Sequence, residues 1–479
     1  MLFNTFNFWL IFPFIFGIYW LIPYRYNVLR KLFLLIVSYL LYMNWKPAYG
    51  LVLLFVSLIT YGGGYLLGNQ CYNARRRILC WSFALLGLLP LLVFKYYNFL
   101  NESITVGLEA TGLHIALPGL NWAIPVGISF FTFQAVGYLL DVYHNRIPAE
   151  KNIVDYLLFV SFFPQVASGP ISKGEELLPQ IKSPHIFRYE QGRDGLKLLL
   201  WGMFLKCVVA DRLGLFVDTV YAQYEHYSGL NCFLASICYT FQIYGDFAGY
   251  SLMAIGIART LGFNLVNNFE RPYFAASITE FWKRWHISLT RWLTTHVYIN
   301  LGGNRCSKAR QYRNIMVTFL VSGLWHGANW TFVVWGAIHG LIQIVEKFAG
   351  IAPKGKYYER VECCRFLKPI RILLTFMLVN LAWIFFRMPT IADAIGVIRR
   401  MITEFGGQPP FYKTERSTII FMATALLVMI GIEIWQEYLR DRIRLFNNRY
   451  MRFAVYVCLF CMILCLGVLD ASSFIYVSF

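Results

Sequence analysis

Between positions 241 and 340, polar and charged residues recur among Trp, Tyr and Gly more densely than elsewhere in the chain. Two histidines there have the chemistry of a proton acceptor. His326 lies in 313–330, where Val317 to Trp325 is almost wholly apolar. An ionisable residue inside an apolar span is costly to hold and marks a functional candidate by default. Gly323 and Gly327 form a G-x-x-x-G that lets another backbone come close. If the helix continues, Asn329 and Trp330, at i+3 and i+4, share the side that His326 faces. The pattern leaves two roles open: a general base, or a neutral group tying two helices together.

His286 lies in Phe281-Trp282-Lys283-Arg284-Trp285-His286-Ile287-Ser288-Leu289. As one helix over 281–292, Trp282, Trp285, Leu289 and Trp292 fall on one face, with Lys283, Arg284 and Arg291 opposite. That predicts an interfacial amphipathic helix along the membrane surface. His286 then sits at the edge of the apolar face, about 80° from its centre at ~100° per residue, where an ordinary boundary histidine also fits. The two histidines belong to different elements and can converge. A buried neutral histidine can strip a proton from a hydroxyl attacking a thioester carbonyl. His339, on a continuing helix, points about 140° away from His326, and reads as structural. Two histidines without a third ligand do not make a metal site, so none is assigned.

Asp246, in Tyr244-Gly245-Asp246-Phe247-Ala248-Gly249-Tyr250, reads first as half of an ion pair with Arg259 or Arg284. Asp141 is a candidate for similar work. No G-x-S-x-G elbow and no G-x-x-x-x-G-K-[ST] loop occurs. Ser168 is more simply a turn residue.

The elements that position these groups are membrane spans. Of 479 residues, 58% are hydrophobic and only 14% charged, with a mean hydropathy of +0.52. A soluble fold needs nearer a quarter charged residues to cover its surface. Spans are expected at 6–23, 32–45, 47–67, 78–95, 194–219, 228–245, 313–330, 331–346, 369–387, 417–436 and 453–470. The stretches 121–143 and 152–170 carry Pro, Gly and polar residues and read as re-entrant. The fold class is all-α: a polytopic membrane protein of about ten to twelve spans. The whole of 1–479 reads as one membrane domain, with a motif-rich core at about 121–346.

The net charge of +18 reads as topology, since Lys and Arg collect in cytoplasmic loops. No basic block lies in a soluble module, so nucleic acid is not an expected partner. Basic residues follow the first span (Arg25, Arg30, Lys31) and the third (Arg75, Arg76, Arg77). They place both loops in the cytoplasm and the N-terminus outside. Arg440, Arg442, Arg444 and Arg449 mark another cytoplasmic loop. The first apolar run lacks a basic n-region and a small-residue cleavage site, and reads as a retained span. The eleven cysteines form no disulfide framework, and Cys363-Cys364 has no second half of a zinc site.

These motifs together resemble the membrane-bound O-acyltransferase family. The resemblance is to the bacterial branch containing the alginate and peptidoglycan O-acetylation proteins and the teichoic-acid D-alanyl transfer protein. It rests on Pro125-Val126-Gly127-Ile128-Ser129-Phe130, Phe163-Pro164-Gln165-Val166-Ala167-Ser168-Gly169-Pro170-Ile171, the segment from Tyr244 to Tyr250, Phe281 to Leu289, Leu301-Gly302-Gly303-Asn304-Arg305, and Trp325-His326-Gly327-Ala328. It implies that His326 is the catalytic histidine and His286 the second. Asn329, Trp325, Trp285, Asp246 and Tyr244 become candidates for substrate binding or for lining a tunnel. The implied fold is a ring of tilted spans, with re-entrant and interfacial helices, around a central tunnel. The implied donor is a cytoplasmic acyl thioester, most simply acetyl-CoA, with no bound cofactor. The implied acceptor is a hydroxyl on an extracytoplasmic polysaccharide or on a partner protein that acetylates it. The setting would be the bacterial cytoplasmic membrane and its lipid. One departure is local: Thr295, His296 and Asn300 replace an Asp, a Tyr and a Pro of relatives, and Asn300 frees a backbone that Pro would fix. The rival readings are a transporter or channel with intramembrane histidines, and a scaffold in which both histidines are dispensable. No internal repeat supports the transporter.

Overall fold

The computed structural model describes residues 3–69, 73–113, 118–353, 355, 366–439 and 448–468. Cys363, Cys364, Arg440, Arg442 and Arg444 lie outside them. The described residues are mostly helical, with no strand among them. Lipid offers no partner to an exposed backbone group, so a chain this apolar satisfies its amides within helices.

In chain order the helices are α1 (Phe6–Leu21), α2 (Asn27–Met43), α3 (Pro47–Gly68), α4 (Asn73–Leu91), α5 (Tyr97–Glu109), α6 (Ile128–Tyr143), α7 (Ile153–Ser161), α8 (Phe163–Val166), α9 (Gly174–Lys182) and α10 (Tyr189–Met203). There follow α11 (Asp211–Ala222), α12 (Gly229–Thr260), α13 (Ile278–Arg284), α14 (Ile287–Leu293), α15 (Lys308–His326), α16 (Trp330–Phe348), α17 (Leu367–Arg387), α18 (Ile391–Thr403), α19 (Arg416–Ile434) and α20 (Arg449–Leu466). Among the described residues, six helical stretches are long and apolar enough to cross a membrane: Tyr24–Met43, Pro47–Gly68, Ala74–Glu109, Leu367–Arg387, Arg416–Leu439 and Arg449–Leu466. The chain is a multi-pass membrane protein. The expected span at 194–219 is divided by a π-turn at Phe204–Ala210, and the one at 228–245 runs on to Thr260.

Internal contacts divide the chain into two compact units: Met1–Leu196 with Ala254–Val266, and Lys197–Met253 with Asn267–Phe479. In the first, α3, α4 and α6 pack on one another, and α2 packs on α7. Hydroxyls in these apolar helices turn back onto their own backbone. Ser38, Ser57 and Thr60 each donate to the carbonyl four residues earlier at 2.7 Å, which satisfies them without water. Two of the sequence motifs meet here. Gly127 has φ +75°, and a Cβ on it would stand 2.2 Å from the Val166 carbonyl oxygen, so only glycine fits. The segment 152–170, read as re-entrant, is broken at Phe162 between α7 and α8. Asp141 pairs with Arg146 at 2.9 Å.

The second unit carries every candidate site residue. Its core is aromatic, centred on Trp285, Trp335 and Trp383, and is organised by the α15–α16 hairpin, with α17 packed on α16.

Candidate active site

His326 is the last residue of α15. Gly327 is extended (φ −158°, ψ 148°), and the Asn329 side chain caps α16 by accepting from the Thr331 amide at 2.9 Å. The helix therefore stops at the histidine, so Asn329 does not share its face by helical spacing as expected. Asn329 donates instead to the Pro389 carbonyl at 2.9 Å, which ties the hairpin turn to the end of α17. The close approach expected at Gly323 is present: a Cβ there would stand 2.2 Å from the Phe332 carbonyl oxygen.

The continuous helix expected over 281–292 is broken. Ser277 opens α13 by accepting from the Glu280 amide at 3.0 Å. The helix ends at Arg284, Trp285 is extended, and His286 is left-handed at φ +44°. A non-glycine residue holds that conformation only when its surroundings over-determine it. Here they do. The Glu270 amide donates to the Arg284 carbonyl at 2.8 Å, and the Ile287 amide to the Asn268 carbonyl at 2.9 Å. Arg284 is clamped by Glu280 at 2.7 Å and Glu437 at 3.0 Å, and Glu437 also binds Arg271 at 2.6 Å. The apolar face of Trp282, Trp285 and Leu289 is buried in protein rather than laid on lipid. His286 is wholly inside rather than at a boundary.

The break brings the two histidines together. Their ring centroids lie 6.3 Å apart, too far for a direct hydrogen bond and close enough to touch one small group. His326 and His286 are 1% and 0% exposed. Trp325 lies 4.9 Å from the His326 ring and 5.6 Å from that of His286. Trp335 and Phe386 close the other sides of His326 at 5.0 and 5.2 Å. His286 Nδ1 lies 3.1 Å from Asn268 Oδ1, which also receives the Ser288 amide at 3.1 Å and the Ser288 hydroxyl at 2.9 Å. His339 joins the same aromatic cluster, 5.0 Å from Trp335, and accepts from Trp282 Nε1 at 3.4 Å. The hairpin turn, which reverses the chain after His326, puts it nearer than a continuing helix would.

The remaining candidates stand in the walls. Trp285 is fully buried, 5.0 Å from Trp383. Tyr244 donates to Glu433. Asp246 is paired with Lys206 at 2.6 Å, and Lys206 with Asp211 at 2.6 Å. This corrects the expectation of Arg259 or Arg284: Arg284 is held by the two glutamates. Lys206 sits in the π-turn inside the apolar run 194–219, so the rule that singled out His326 would have found it. Asn268 carries no such signal, because its contact with His286 is purely tertiary. The altered stretch after α14 forms a π-turn, Thr294–Tyr298, and Asn300 donates to the His296 carbonyl at 2.9 Å.

A cavity of about 540 Å³ runs along α15. Its exposed end is polar, with Asn304, Gln311 and Lys347, and its buried end reaches Trp282, Phe319 and Ser322. Ser322 lies one turn before His326. Among the described residues, no three His, Cys, Asp or Glu side chains gather as metal ligands. The arrangement can accept a proton from a hydroxyl in a dry site, and a cavity with a polar entrance ends one helical turn short of His326.

Residues 143–351 match the family model for the membrane-bound O-acyltransferase family. The chain is 34% identical over 443 residues to the probable alginate O-acetylase of Azotobacter vinelandii, covering 90% of this chain and 84% of that protein. It is 38% identical to the probable alginate O-acetylase of Pseudomonas aeruginosa, covering 80% and 71%. It is 34% identical to the peptidoglycan O-acetyltransferase of Helicobacter pylori, covering 78% and 73%.

Proposed function

The chain belongs to the membrane-bound O-acyltransferase family and is an acyltransferase; from that premise we propose that it moves an acetyl group from a cytoplasmic thioester, acetyl-CoA, to a hydroxyl of an extracytoplasmic polysaccharide or of a partner protein that acetylates it. The observation that carries the reading is the convergence of His326 and His286, both buried, at the inner end of the helix whose side lines the cavity.

In the reaction, His326 takes the proton of the acceptor hydroxyl as its oxygen attacks the thioester carbonyl carbon. A C–O bond forms and the C–S bond breaks. The leaving thiolate takes the proton back from the His326 imidazolium and departs as thiol, so the histidine ends neutral. His286 stands across from His326 and contacts the same hydroxyl. Trp325, Trp335 and Phe386 keep water from competing as acceptor.

The donor occupies the cavity along α15. Lys283 and Lys347 line it and suit the phosphates of an acyl-CoA. Arg305, Lys308, Arg310 and Arg313 cluster at the same end of α15, which supports a cytoplasmic entrance. The basic residues after α1 and α3 support an outside N-terminus in the bacterial cytoplasmic membrane. The polysaccharide acceptor is suggested by the activities named for the relatives. Alignment over 90% of the chain supports one functional domain with its core at about 121–346.

The test is acetyl transfer by the purified protein in lipid with labelled acetyl-CoA. His326→Ala should remove donor turnover and acceptor acetylation by roughly 10²-fold or more, while the protein still inserts and elutes as wild type. Near-normal transfer in that variant would sink the assignment.

A further inference from the structure

Asn268 is 1% exposed, and its Oδ1 faces three groups: the Ser288 amide, the Ser288 hydroxyl and His286 Nδ1. The identity of that amide atom is fixed by chemistry. A backbone N–H only donates, so the atom 3.1 Å from the Ser288 nitrogen must be the oxygen, and flipping the amide would set donor against donor. His286 Nδ1 therefore faces an oxygen that has no proton to give. A neutral imidazole in contact with it must carry its hydrogen on Nδ1 and its lone pair on Nε2.

We infer that Asn268 is a positioning residue that locks His286 in the Nδ1–H tautomer, so that Nε2 meets the incoming hydroxyl as a hydrogen-bond acceptor. This rests on the acyl-transfer reading above and assigns the second histidine its part in it. A neutral Nε2 in that state has no hydrogen to offer a developing oxyanion. His286 acts on the nucleophile: it receives the hydrogen bond of the acceptor hydroxyl as that group enters and draws its oxygen toward the carbonyl carbon; the hydroxyl then turns its one hydrogen to His326, which takes the proton as the C–O bond forms. The left-handed backbone at His286 serves the same end. It turns the ring back toward Asn268, whose carbonyl also holds the next amide, at 2.9 Å from the Ile287 nitrogen. One residue thus fixes the backbone and the ring of the histidine together.

The experiment uses the full chain in lipid nanodiscs with 15N-labelled histidine, the His286 resonances being assigned by their loss in His286→Gln. The wild type should show a protonated Nδ1 and an unprotonated Nε2. Asn268→Leu should give a mixture of tautomers and lower kcat by roughly 10²-fold or more, short of the ~10⁴-fold of a wholly wrong tautomer, with KM for acetyl-CoA unchanged. Asn268→Asp keeps an acceptor for both the ring and the Ser288 amide, so it should keep the tautomer and recover most of kcat even if Asn268→Leu folds poorly. An Nε2-protonated His286 in the wild type, or an unchanged tautomer in Asn268→Leu, overturns the inference whatever the transfer rates are. The inferred tautomer together with wild-type transfer in His286→Gln would overturn the catalytic role given to that histidine and leave the Asn268 lock standing.

Discussion

The Glu346 carboxylate, near the end of α16, receives the backbone amides of Ile278 and Thr279 at 2.6 and 3.0 Å. It thereby caps the first turn of α13 from another helix, where a negative charge is best placed. The segment that presents His286 is thus fastened at its start by Glu346 and at its end by Glu437 through Arg284. Glu346→Ala should leave the buried Ile278 amide and the half-buried Thr279 amide without their acceptor and lower stability by about 1–3 kcal/mol. Thermal unfolding in detergent reads this directly, and Glu346→Gln should recover part of the loss.

Gly323 faces the α16 backbone with no room for a methyl group. Gly323→Ala should force the α15–α16 hairpin apart at the turn before His326. Overpacking of this kind costs about 1–3 kcal/mol, and the displacement should reduce acetyl transfer more steeply than stability. Melting temperature and initial rate measured on the same preparation separate the two effects. Equal proportional losses would argue against the hairpin as the positioning element.

Lys206, buried between Asp211 and Asp246, holds two carboxylates that cannot both be left charged in an apolar interior. Lys206→Met should destabilise the protein by about 3–5 kcal/mol, the usual cost of stranding a buried charge. Adding Asp211→Asn and Asp246→Asn should restore folding. Full recovery of transfer in the triple variant would assign these residues to structure alone, and the yield of monodisperse protein is the measurement.

The buried end of the cavity is closed by Ser322 and Phe319. Ser322→Phe should fill that end while leaving the entrance open. KM for acetyl-CoA should rise tenfold or more, equivalent to about 1.4 kcal/mol or more of binding, with unfolding little changed because the new ring enters existing space. Lys347→Glu at the other end should also raise KM, and more at low salt than at high salt. Unchanged KM in both variants would remove the cavity as the donor route.

Much of this was legible in the sequence for a definite reason. Apolar runs of membrane length betray spans, and an ionisable residue within such a run betrays itself, which is how His326 stood out. The break at His286 was not legible. Trp282, Trp285 and Leu289 have helical spacing, and a periodic pattern reports which residues are buried without reporting a single left-handed residue among them. What overrides the helix there is Asn268, 18 residues earlier. Asp246 is half of an ion pair, as its apolar setting implies, but its partner is Lys206 rather than an arginine, a lysine hidden within an apolar run. Helical spacing puts Asn329 on the face of His326 only if the helix runs on, and the extended Gly327 ends it first.

His326 ends a helix of 19 residues, and that length acts as a ruler. From Gln311 at the cavity entrance to His326 there are 15 positions (326 − 311), or about 22 Å at 1.5 Å per residue. A donor whose recognised head stays at the polar entrance must carry its thioester on an arm of about that length. Under the proposed acyl-CoA reading, the helix selects the donor by reach as well as by charge. An acetyl thioester on a short thiol, though equally reactive, would leave its carbonyl stranded well before the histidines. One residue inserted in α15 would move His326 along by a step and swing it by about 100°, so the length of this helix is itself part of the active site.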